Sequence, residues 1–96
     1  MWLLLACETR VIDRGLLVLP SGRTLEVRVH APWAPIEGPC PTEILAGTTV
    51  VWRGDLDEDL CFADEVTLVS EVGDRVQVSV LLAPKTPTAV SLTLPP

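Results

Sequence analysis

Along this chain apolar and polar residues alternate one by one, in short bursts separated by turn residues. Residues 24–30 read Thr-Leu-Glu-Val-Arg-Val-His, residues 75–80 read Arg-Val-Gln-Val-Ser-Val, and residues 90–94 read Val-Ser-Leu-Thr-Leu. A period of two, rich in β-branched residues, marks strands buried on one face. In the first burst Leu25, Val27 and Val29 point one way, and Glu26, Arg28 and His30 point the other. The same spacing assigns Val50, Trp52, Val66, Leu68, Val76, Val78, Val80, Val90 and Leu92 to the core.

Turn chemistry divides the bursts. Residues 2–7 are apolar throughout, which predicts a strand buried on both faces; residues 8–12 then alternate, and Gly15 breaks the run. Residues 16–19 form the next short strand, closed by the turn Pro20-Ser21-Gly22-Arg23. Residues 31–41 hold Pro32, Pro35, Pro39 and Pro41, a density that excludes helix and ladder and predicts a crossover loop. Strands follow at 42–45, broken by Ala46-Gly47, and at 48–52. An acidic loop covers 54–59, a strand 65–70, a tight turn Gly73-Asp74, a strand 75–82, a Pro-containing turn 83–87 and a closing strand 88–94. About seven strands at short spacing, with no 3.6-residue period, predict an all-β fold. The expected architecture is a single small antiparallel β-sandwich or barrel spanning residues 1–96.

Composition adds a second expectation. A domain of 96 residues hides only about 60–65% of its unfolded surface. Yet 48% of the residues are hydrophobic, which means either a dense β core in which Val and Leu replace aromatics or an apolar surplus that the core does not hide. The surplus points to contact with another chain, by self-association or with a protein partner. Trp2, Leu3 and Leu4 sit in a run that cannot alternate without exposing large side chains, and Trp33 and Ile36 sit in the proline-rich loop. These five are the interface candidates.

Charge removes other classes. Thirteen acids against seven bases give a net charge of −6, which argues against binding nucleic acid, since a phosphate backbone needs a basic stripe. No apolar run reaches the roughly 18 residues that span a bilayer. Leu4-Leu5-Ala6-Cys7 has the shape of a lipoprotein cleavage site, but no basic segment and no longer apolar stretch precede it. It is read as strand instead, and a secreted or lipoprotein setting is not expected. The three cysteines, Cys7, Cys40 and Cys61, contain no C-x-x-C pair. Reduced thiols in a cytoplasmic or virion setting fit them better than a disulfide framework, and a single bridged pair is the alternative left open.

Candidate chemistry is sparse. Asp55, Asp57, Glu58, Asp59, Asp64 and Glu65 gather six of the thirteen acids in one stretch. Asp55, Asp57 and Asp59 match oxygen positions 1, 3 and 5 of a calcium loop, but Leu60 stands where the turn glycine belongs and Val66 where the bidentate glutamate belongs. With Asp64 and Glu65 these residues are the candidates for an ion site, and calcium is the only cofactor considered. Three cysteines and His30 would suffice for zinc by number, but they are not spaced in the close pairs of a structural site. His30, on a polar strand face, is read as a solvated imidazole. The segment Ala46-Gly47-Thr48-Thr49-Val50-Val51-Trp52 resembles the strand before the copper site of cupredoxins. That resemblance implies a β-sandwich. The family's copper site needs two histidines, a cysteine and usually a methionine, and here the single histidine precedes the segment and the only methionine is Met1.

The expectation from sequence is therefore a non-enzymatic structural or interaction subunit of a homo-oligomer or larger assembly. By fold-level analogy this includes bacteriophage virion components of the capsid-decoration or tail kind. The alternative is a ligand- or calcium-binding β-sandwich that uses the acidic loop 55–65.

Overall fold

A computed structural model describes residues 11–31, 40–56, 62–82 and 86–96. Among the described residues, seven antiparallel strands form two sheets, of four and three strands, which is the all-β class that the alternation predicted. The first sheet is a meander of β1 (Val11–Val18), β2 (Thr24–His30), β3 (Cys40–Ala46) and β4 (Thr49–Leu56). A 3₁₀ turn at Ala63–Glu65 leads into the second sheet, where β6 (Arg75–Leu82) lies between β5 (Val66–Val72) and β7 (Thr86–Thr93). The sheets meet at one corner. β5 begins opposite Val80, so the end of β6 runs past it, and Leu82 there pairs with Leu56 of β4. Two of the hairpins have two-residue loops led by glycine at positive φ, +64° at Gly47 and +61° at Gly73. That is the backbone twist such short turns demand.

The inner faces supply the core. Leu25, Val27 and Val29 of β2 and Ile44 of β3 pack with Val66 of β5 and with Val76, Val78 and Val80 of β6; Leu19, Cys40, Leu56, Ala63, Leu92 and Leu94 belong to the same cluster. Burying one such side chain contributes about 1.5–3 kcal/mol. Among the described residues the single buried polar one is Thr42, whose hydroxyl donates to the Cys40 carbonyl at 2.9 Å. The strand register expected from alternation holds, with Glu26 and Arg28 on the outer face of the sheet.

Five expectations need correction. Val50 is only half-buried, and Val51 packs against the core in its place. The cause is a β-bulge: Ile44 pairs with Trp52 and Leu45 with Val50, so Val51 is an extra residue and the alternation shifts by one. Gly15 does not break its strand, and Gly54 does not end β4. A Cβ at Gly15 would come within 2.9 Å of the Ala63 methyl, and one at Gly54 would fall into the Trp52 ring, so each glycine admits a close neighbour. β3 starts at Cys40, inside the segment expected to be loop, with Pro41 facing outward. Cys40 is buried and disulfide-bonded, so one cysteine pair is oxidised where reduced thiols were expected. Its partner lies outside the described residues. Among those residues, no helix is long and apolar enough to cross a membrane.

Candidate functional site

β1 ends one sheet and β5 ends the other, and the two run in the same direction on either side of a groove of about 560 Å³. Gly15 and Leu17 of β1 line one wall, Val66 and Leu68 of β5 the other, with Phe62 and Ala63 between them. Contacts tie the two strands together near both of their ends. At one end the Asp13 carboxylate, turned toward the interior, accepts the Ala63 N–H at 2.7 Å and fixes the 3₁₀ turn onto β1. The missing side chain of Gly15 leaves room for Ala63 to settle there.

At the other end the β1–β2 turn clasps the β5–β6 hairpin. Glu71 accepts the Ser21 hydroxyl at 2.6 Å, the Ser21 N–H at 3.0 Å and Arg23 Nη2 at 2.8 Å. Arg23 also donates to the Gly73 carbonyl at 2.6 Å and to Asp74 at 3.3 Å. The Glu71 side chain is only 6% exposed. The Ser21 hydroxyl, then its N–H and Arg23, outweigh desolvation and hold the Glu71 carboxyl below its ordinary value.

The two strands that flank this groove carry exposed apolar side chains. Leu16 and Phe62, which line it, are 69% and 56% exposed, and Val18 and Val72 are 67% and 75% exposed; Ile12 and Val69 complete the set of exposed large hydrophobics among the described residues. All six lie on β1, on β5 or at Phe62 between them. The other two sheet-end strands, β4 and β7, carry none. Ile12 and Val69 are the extra residues of two further bulges, which turn them out of the ladder.

The outer face of the four-stranded sheet carries a charge network. Arg28 pairs with Glu26 at 3.0 and 3.2 Å, and Arg53 donates to Glu43 at 3.1 Å. His30 Nε2 lies 3.1 Å from the other Glu43 oxygen, with its side chain only 16% exposed, so it is not the solvated imidazole expected. Burial pushes the Glu43 carboxyl up, but Arg53 and His30 together hold it below its ordinary value. These three residues border a smaller hollow of about 390 Å³.

The sequence candidates fare unevenly. Trp2, Leu3, Leu4, Trp33 and Ile36 lie outside the described residues, as do Asp57 and Asp59. Asp55 is exposed at the end of β4, and Asp64 and Glu65 belong to the 3₁₀ turn. Among the described residues, no three His, Cys, Asp or Glu side chains gather as a metal site would require. Leu16, Val18 and Phe62 were not singled out from sequence, although a signal existed. Leu16-Leu17-Val18 is an unbroken apolar run that, as strand, must expose one face. Compared with protein-family models, curated proteins and solved structures, the chain matches none, and no structural relative supports the cupredoxin resemblance.

Proposed function

We propose that this protein is a non-enzymatic interaction subunit that binds other protein through the β1/β5 side of the sandwich. The observation that carries this is that all six exposed large hydrophobics of the described residues lie on the sheet-end strands β1 and β5 or at Phe62, with Leu16 and Phe62 lining the groove between those strands. Unpaired strand edges offer free backbone donors and acceptors, and apolar rims offer surface to bury, so such sides are natural contact sites. The virion-component class rests within this proposal on fold-level analogy alone.

The test is native mass spectrometry of the chain isolated from its source, beside the double variant Leu16→Glu/Phe62→Glu. A complex heavier than one chain is expected, and the double variant should lose it while keeping its melting temperature. A complex untouched by the two substitutions, or none at all, would end this assignment. Calcium titration separates the alternative module built on residues 55–65. A melting temperature that rises in millimolar calcium favours that alternative, because a ligand bound only to the folded state stabilises it.

A further inference from the structure

We infer that the β1 edge pairs with the β1 edge of a second copy, antiparallel, about a two-fold axis at Leu16; this rests on the interaction reading and names its partner. The hairpin hydrogen bonds set which backbone groups are free. Leu19 donates to the Arg23 carbonyl and accepts from Gly22, so its N–H and C=O face β2. Antiparallel ladders alternate, so Leu17 and Gly15 also face β2, opposite Leu25 and Val27. Arg14, Leu16 and Val18 therefore direct their N–H and C=O groups out of the sheet.

Among the described residues, this edge is the one most open to pairing. The bulge at Ile12 sits near the start of β1 and leaves Arg14 to Val18 uninterrupted, whereas the bulge at Val69 cuts β5 in its middle. β7 carries Pro87, which has no N–H to give. β4 is already joined to β6 at Leu56.

Charge and size choose the register. Centred on Leu16, the pairing sets Leu16 against its own copy and Arg14 against Val18 of the second copy. Gly15 meets Leu17, so no two large inward side chains collide. The two Arg14 guanidinium groups are then held about 13 Å apart along the strands, beyond the ~8 Å screening length. A register centred on Arg14 would set these like charges face to face, which is destabilising. One centred on Gly15 sets Asp13 against Leu17 and draws the bulged Ile12 into the ladder. In the Leu16 register, Leu16 and Val18 of both copies merge into one apolar strip, flanked by Glu26 of each copy, the ladder partner of Leu16.

A symmetric centre makes a specific demand, because position 16 must meet itself. Sedimentation of Leu16→Lys and of Leu16→Glu, each alone, should show dimerisation weakened at least about tenfold, since like charges then oppose across the axis. An equal mixture of the two should recover it. Amide exchange adds a second readout: the Arg14, Leu16 and Val18 amides should gain protection as wild-type concentration rises, while Leu17 stays protected throughout. A wild-type chain that is monomeric up to about 1 mM overturns the pairing. So does a mixture that fails to recover association, or protection of the three amides that is independent of concentration, as when residues 1–10 of the same chain cover the edge. A monomeric wild type that still comes from its source in a complex sensitive to Leu16→Glu/Phe62→Glu overturns only the self-pairing, and leaves the interaction reading in place.

Discussion

Asp13 and Gly15 act as a pair of single-residue decisions. One donates nothing and accepts one backbone N–H; the other contributes only the absence of a methyl group. Together they hold the segment that crosses between the sheets. Gly15→Ala should be destabilising by about 1–2 kcal/mol in urea denaturation. Overpacking against Ala63 costs about 1–3 kcal/mol, and the reduced freedom of the unfolded chain offsets part of it. An increase in stability would mean that Ala63 does not sit where described. In the core, Ile44 has no exposed surface, so Ile44→Ala should cost about 2–5 kcal/mol by the same measurement. Neither glycine effect was legible in sequence, because Gly15 looks like a strand breaker until the residue facing it is known.

Among elements, the Ser21–Arg23 turn and the β5–β6 hairpin belong to different sheets, so their clasp resists the sheets parting. Its pH dependence follows from Glu71. The folded-state pKa lies below that of the unfolded chain, so the unfolded state binds more protons in the window between them. The stabilisation is full above the unfolded value of about 4.3 and is lost as pH falls through the folded one. Glu26, paired with Arg28, and Glu43, paired with Arg53 and His30, act in the same direction. Thermal melts from pH 7 downward should show stability falling below about pH 4.3. Glu71→Gln should be less stable at neutral pH and show a shallower acid limb. An unchanged limb would mean that the clasp does not survive in solution.

Over the whole molecule, the Cys40 disulfide changes the energetic picture of a small core. Breaking a native bridge in a domain of this size commonly costs about 2–5 kcal/mol. Cys40→Ala should therefore lower the melting temperature, and reductant should lower that of the wild type but not of the variant. Thiol titration of the unfolded, unreduced chain should find one free thiol of the three cysteines. Three free thiols would remove the bridge from the description.

The sequence alone determined the class and most of the register. Side-chain alternation has a fixed period of two, and a strand with one buried face must display it, so Val27 inward and Arg28 outward were readable directly. The turns at Gly47 and Gly73 were readable for a similarly local reason, since few residues adopt positive φ. The bulge at Val51, the methyl of Ala63 over Gly15 and the grip of Ser21 and Arg23 on Glu71 were decided only by tertiary structure. Each depends on a neighbour distant in sequence, and no local pattern encodes which strand lies opposite. The exposed apolar residues of β1 and β5 fall between these cases: Leu16-Leu17-Val18 announced that one face would be exposed, but only the packing of two sheets made β1 and β5 their end strands and set Phe62 with Leu16 at the groove between them.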